Sequence, residues 1–301
     1  LVEQRTQKGL KRGLSCFEEA SAVDPDFSLA LVGQAYALLG LFGYGYEEND
    51  FTLSQAETLI KEALHQDTNL AEAHSALGLL YTSRQEGRDA IQALKKAVKL
   101  RPGYANAHNK LSWIFQLMGN KQQSLESAEK AVDLDPFSPE AIINLAYSHL
   151  INDHFSDALK YAKKAYELQP DWPTVSFYIA LIHYHSDNPE ESQKYVEDLV
   201  VPWTCNGPQL LLTLIDIKSQ KKQTTYNLEY FSREKDFFSQ GILHTVLKDK
   251  EKAFEAFENI TSWEPWPTQV MHHLFPNELK DIKKDSRFLT LSEHIDRDWG
   301  M

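Results

Sequence analysis

The chain has 301 residues, 42% hydrophobic and 25% charged, with a formal net charge of −12. Those proportions are those of a soluble globular protein, and no apolar run approaches the roughly 20 residues of a membrane span. The charge balance offers no clustered lysine and arginine face of the kind that tracks nucleic acid; the short basic patches Lys160–Lys164 and Lys218–Lys222 read as solvated helix faces or turns.

Leu1–Val23 reads as the second helix of a repeat closed by Asp24-Pro25, so the chain is expected to begin in mid-repeat. A helix opens near Ser28, and Ala56 and Ala63 mark its partner. Between them lie about nine residues more than in later units, centred on Gly40–Asp50; three glycines among aromatics predict a turn or elongated loop. From residue 71 the pattern is regular, in units Ala71–Tyr104, Ala105–Ser138, Pro139–Trp172 and Pro173 to about Asn206. Pro102, Pro136 and Pro170 stand 34 residues apart, as do Ala97, Ala131 and Ala165, and Leu77, Leu111, Leu145 and Ile179. A repeat of this length is a helix–turn–helix that packs on its neighbours. The eighth position of each first helix is small (Gly78, Ser112, Ala146, Ala180), which lets two helices approach closely. Each second helix opens on Ala90, Ser124, Ala158 or Ser192, and proline ends its last turn.

Downstream, Gly207–Arg233 reads as a compressed helix pair, and Gly241, Ala253 and Pro265 repeat the spacing of Gly78, Ala90 and Pro102, with Ile260 where alanine is usual. Pro276–Ile295 reads as one or two short capping helices that cover the last repeat. No segment shows the two-residue alternation of a strand. The expected organisation is a regular array over residues 1–206 with an insertion near 40–50, degenerate repeats over 207–266, and a C-terminal cap over 267–301.

These units resemble tetratricopeptide repeats over about Leu1–Pro265, most strongly at Ala71–Trp172. The resemblance implies an all-α fold: a right-handed α-solenoid, or superhelix of helix–turn–helix repeats, with C-terminal capping helices. His74 and His108 stand where tryptophan is commonest in the family, and His149 and His183 where tyrosine is; these sites pack helices together. A narrower likeness is carried by Pro25-Asp-Phe, Leu70-Ala-Glu-Ala-His-Ser-Ala-Leu-Gly78, Pro102-Gly-Tyr-Ala-Asn-Ala-His108, Leu134-Asp-Pro-Phe-Ser-Pro139 and Leu279-Lys-Asp-Ile-Lys-Lys-Asp-Ser-Arg-Phe288. Their order is similar to the C-terminal repeat region of multidomain bacterial signalling proteins. In those, the N-terminal effector is a winged-helix regulator, a Ser/Thr kinase or a class III nucleotide cyclase. That likeness implies a regulatory, partner-binding role, with the cytoplasm as the expected compartment and the periplasm as the alternative.

Signs of chemistry are sparse. The glycines at 43–45 lack the strand–loop–helix context and the lysine of a phosphate loop. Neither His-Glu-x-x-His nor Cys-x-x-Cys occurs, and the histidine spacings do not converge three or four ligands, so packing or surface roles are expected and no cofactor or metal. Cys16 falls on an apolar helix stripe and reads as core; Cys205 reads as a loop thiol without an arguable base. The segment is not expected to be an enzyme.

By the family resemblance, a concave groove is lined by positions 2, 5, 9, 12 and 13 of each first helix. Glu72, Ser75, Leu79, Thr82 and Ser83 hold them in the first clear repeat. Later repeats become more apolar, and the expected contact residues for a protein or peptide are Asn106, Asn109, Trp113, Gln116, Ile143, Tyr147, Phe177, Leu181 and Tyr184. The residues do not decide between an open groove and one filled by Val200–Arg233. The lysine and asparagine of a chaperone-type carboxylate clamp are missing at positions 5 and 9. Two alternatives stay open: a small-molecule sensor with an aromatic pocket, and a module that forms a homodimer of an effector.

Overall fold

The computed structural model describes residues 6–47, 49–197, 199, 207–219, 237–259, 278–279, 282 and 284–290. Among them every regular element is a helix. The leading helix α1 (Gln7–Val23) packs on α2 (Ser28–Gly43), which pairs with α3 (Asp50–Gln66). Then come α4 (Ala71–Ser83) with α5 (Gly87–Leu100), and α6 (Ala105–Leu117) followed by α7 (Lys121–Leu134). Next are α8 (Pro139–Ile151) with α9 (Phe155–Leu168), and α10 (Pro173–His185) with α11 (Pro189–Val196). The last are α12 (Gly207–Lys218), then α13 (Phe237–Val246) with α14 (Lys250–Glu258). The helix-pair architecture follows the 34-residue period. The expected second helix after α12, Ile260, Pro265 and Cys205 lie outside the described residues.

Sequence chemistry sets the helix starts. Thr6, Asn49, Ser138 and Asn188 each accept a hydrogen bond from a first-turn amide, meeting one of the donors that a helix leaves free. Pro139, Pro173 and Pro189 stand in the first turn, where a missing N–H costs nothing.

The turn inside each pair repeats as faithfully as the apolar pattern. Gln85, Gly119, Asp153 and Asp187 stand 34 residues apart and have φ of 64°, 69°, 61° and 63°; Lys248, in the last pair, has 62°. Each follows the end of a first helix and lets the next residue donate to a carbonyl five positions back. The pairs are Glu86 N to Tyr81 O at 2.8 Å, Asn120 N to Phe115 O at 2.8 Å, and His154 N to His149 O at 2.9 Å. This is a Schellman cap, which satisfies carbonyls that the helix end leaves open.

The insertion between α2 and α3 is divided between helices and loop. Helices α2 and α3 have 16 and 17 residues, against 13 and 14 in α4 and α5. Most of a turn has been added to each helix, so only part of the extra chain lies in the connection, where Gly45 takes φ 70°.

Two compact units divide the chain. Of the described residues, one holds those up to Ile114 with Glu126–Asp135; the other holds Phe115–Leu125 and those over 136–290. In the first, Leu31, Leu39, Ile60 and Leu80 make the core with Ala35, Ala56, Ala63, Ala73 and Ala76. A Cβ added at Gly78 would lie 2.5 Å from Leu94 Cγ, and one at Gly33 would lie 2.6 Å from the Phe17 ring. Glu57 on α3 pairs with Lys61 and, at 2.6 Å, with Arg84 at the end of α4; these hydrogen bonds hold its carboxyl down to about 2. In the second unit the same close approach recurs: a Cβ at Gly241 would lie 2.3 Å from Phe257. There the C-terminal residues bury Leu279, Ile282 and Phe288. Phe288 meets Phe257 edge-on at 5.9 Å, and Arg287 lies 4.0 Å from the Phe254 ring centroid. The residues expected to cap the last repeat therefore include an apolar underside.

The shared left-handed turn generates a test. A side chain with a Cβ costs about 1 kcal/mol there and glycine does not. Gln85→Gly is expected to raise the free energy of unfolding measured in urea and Gly119→Ala to lower it, each by about 1 kcal/mol; the opposite signs would refute the cap assignment.

Candidate functional site

In the first unit the first-helix faces carry polar groups on an apolar base. Tyr36 on α2 lies beneath Lys110 of α6, whose Nζ is 5.3 Å from the ring centroid. Arg101, just past α5, sits 5.3 Å above the Tyr104 ring and donates from Nη1 to Glu72 Oε1 on α4. The Tyr36 hydroxyl faces those of Ser75 and Tyr104 without closing a hydrogen bond of good geometry. Burial pushes the Tyr36 phenol well above its ordinary range, helped by the Tyr104 and Glu72 charges, and burial also raises Tyr104. Of the expected contact residues here, Asn109 is buried, while Asn106 and Trp113 are half-buried. Asn106 Oδ1 is a buried acceptor without a partner.

The second unit is more apolar. Gln116 is 2% exposed and donates from Nε2 to Asn144 O at 3.2 Å and to Ser148 Oγ at 3.0 Å. That amide ties the end of α6 to α8. Ile143, Tyr147, Phe177, Leu181 and Tyr184 are all buried. The Tyr147 and Tyr178 rings lie 5.1 Å apart, and Phe177 is 6.1 Å from Tyr178. Burial raises the phenol pKa of Tyr147 and of Tyr178. The Tyr147 hydroxyl has no hydrogen-bond partner. Tyr184 donates from its hydroxyl to Glu278 Oε1 at 2.7 Å, and burial, then the Glu278 charge, raises its pKa.

Of the nine expected contact residues, seven are buried and two, Asn106 and Trp113, keep partial access to solvent. Tyr36, Lys110, Tyr178, Lys218 and Glu278 were not anticipated. Tyr178 falls between the positions assigned to the groove, and Glu278 comes from a segment with no periodic relation to Tyr184.

The histidines pack. His149 stacks on Tyr161 at 5.4 Å and 3°, and His183 on Tyr195 at 6.0 Å and 15°. His74 and His108 place Nε2 3.0 Å from the carbonyl oxygens of Thr68 and Pro102, the same tie in successive repeats. Among the described residues no cluster of three or more histidine, cysteine or acidic side chains is placed to hold a metal. No described helix is long and apolar enough to cross a membrane. Cys16 corrects an expectation: it is exposed, because α1 turns Gly9, Leu10 and Gly13 inward and leaves Cys16 on the outer side.

Residues 75–139 match the tetratricopeptide repeat family model. No curated protein matches the chain significantly. Among solved structures, the human IFIT1 dimer with PPP-AAAA is similar at a TM-score of 0.63 and 15% identity, over 97% of this chain and 69% of that one. PilW, a widely conserved type IV pilus biogenesis factor, gives a TM-score of 0.55 at 17% identity over 66% of this chain and 92% of that one. At these identities the likeness is one of fold. Residues 75–139 thus carry tetratricopeptide-repeat sequence, within a chain of all-α helical-repeat fold.

The unpaired phenol generates a prediction. A buried hydroxyl without a partner costs roughly 1–3 kcal/mol. Tyr147→Phe is expected to stabilise the protein by about 1 kcal/mol in thermal unfolding; a loss of that size would show that the hydroxyl has a partner.

Proposed function

We propose that the chain is a non-catalytic interaction module whose first-helix faces receive a peptide or protein segment, with α6 as the principal contact element. The supporting observation is the pair Asn106 and Trp113. They stand seven residues apart, on one face of α6, and both are partly open to solvent. An indole supplies contact area at little entropic cost, and an amide side chain suits hydrogen bonding to a peptide backbone. The polar tyrosine and lysine cluster of the first unit would hold the same segment by further hydrogen bonds.

The net charge of −12 favours a partner with basic groups over nucleic acid. The likeness of the repeat motifs to C-terminal regions of bacterial signalling proteins supports a regulatory role beside an effector in the cytoplasm. A homodimer would be compatible with that role.

Peptide display against the immobilised chain tests the reading. Selected sequences are expected to lose about tenfold or more in affinity to Trp113→Ala, and to keep it with Val23→Ala, a change at a side chain 88% exposed on α1. Equal binding to both variants would remove α6 as the contact element.

A further inference from the structure

Helix α1 carries its charges the wrong way round for a helix standing alone. Lys8 sits in its first turn, with Lys11 and Arg12 just after it, and Glu18 and Glu19 lie toward its C-terminal end. No acid occupies the first turn and no base the last. The partial positive charge of a helix N-terminus favours acids there, and the C-terminus favours bases. Helices α3, α4, α5, α8 and α9 follow that preference, with Asp50, Glu72, Asp89, Glu140 and Asp157 in their first turns. Nor do the charges of α1 relieve one another along the helix. Lys8 and Arg12, four apart, repel, and Arg12 and Glu18 are too far apart in sequence for a helical ion pair, which needs a spacing of three or four.

These groups lie on the outer side of α1. Gly9, Leu10 and Gly13 are buried, whereas Lys8, Arg12, Ser15, Glu18, Glu19 and Ala22 are exposed. Their steps of three and four residues make one continuous stripe. Ser15 is its midpoint: Arg12 stands three residues before it and Glu18 three after, so the base and the acid occupy mirrored positions. Lys11 holds Glu47 of the same chain at 2.9 Å. Arg12, Glu18 and Glu19 form no ion pair among the described residues. A stripe of this kind is complementary to itself when a second copy crosses it antiparallel, because two-fold symmetry sets Arg12 opposite Glu18 and repeats the pair. The reversed helix also opposes the two helix dipoles, which is their favourable arrangement.

We infer that the outer face of α1 is a contact with a second copy of this chain, lying antiparallel across Ser15, with Arg12 of each copy against Glu18 of the other. The small side chains Ser15 and Ala22 leave room for the approach, and the aliphatic stem of Lys8 covers Ala22 of the second copy. Seventeen residues of helix span about 25 Å, so the contact belongs to the small, weak class and is sensitive to salt. It is independent of the α6 surface, and either can fail without the other.

Sedimentation equilibrium of the full chain tests the inference. Over about 5–500 μM chain it is expected to give a monomer–dimer equilibrium with Kd on the order of 50 μM, weakened about fivefold or more between about 50 mM and 500 mM salt. Arg12→Glu and Glu18→Arg each set like charges face to face twice in the dimer, and each is expected to weaken it about tenfold or more. The double variant exchanges the charges and is expected to restore the dimer to within about threefold of the parent. Both substitutions move charge in the direction the helix dipole favours. At about 1 μM, where the chain is monomeric, the variants are therefore expected to unfold at or above the parent's temperature, which separates a lost contact from a damaged fold. A monomer throughout the concentration range, a dimer indifferent to the single changes, or a double variant as weak as the singles would overturn the inference.

Discussion

The close approach of two helices inside each repeat is the constraint on which the remaining structure depends. Neither helix of a pair can bury its apolar stripe alone. Where Gly78 meets Leu94, or Gly241 meets Phe257, there is no room for a Cβ, so the larger partner fills the space that the glycine leaves. The next repeat then finds a surface already shaped to receive it. Between the two helices the chain must reverse within three residues, and the left-handed cap at Gln85, Gly119, Asp153, Asp187 and Lys248 does this. Spacing, turn and close contact are therefore one device repeated along the chain.

Much of this was legible in the amino-acid order because helix packing repeats at a fixed interval. Pro102, Pro136 and Pro170, the small eighth positions and the alanines of the second helices all report the same geometry. The turn residue was not legible. Glycine marks it once, at Gly119, while glutamine, aspartate and lysine hold the equivalent backbone elsewhere, because the two cap hydrogen bonds offset the cost of the conformation. The insertion near residue 45 was legible in length and only partly in form, since a turn added to a helix and a longer loop use similar residues. Cys16 shows how a helical stripe misleads when it is read without the neighbouring helix that decides which face is covered.

The proposed contact surface was less readable than the fold. Family positions identify which side of a first helix faces its neighbours, but they do not separate a side chain that lies under the surface from one that lies on it. Gln116 and Trp113 are three residues apart; one spends its amide on Asn144 and Ser148, and the other keeps part of its ring accessible. The Tyr184–Glu278 hydrogen bond joins residues 94 apart in sequence, a separation no local pattern encodes. Such long-range pairs lie beyond what periodicity can foretell.

Hydrogen–deuterium exchange of the full chain, with and without a peptide selected against it, addresses the central claim most directly. Peptide-dependent protection concentrated in 105–117, with the paired second helices unchanged, is the outcome the account requires. Protection confined to second helices, or absent while the peptide is bound, would contradict it.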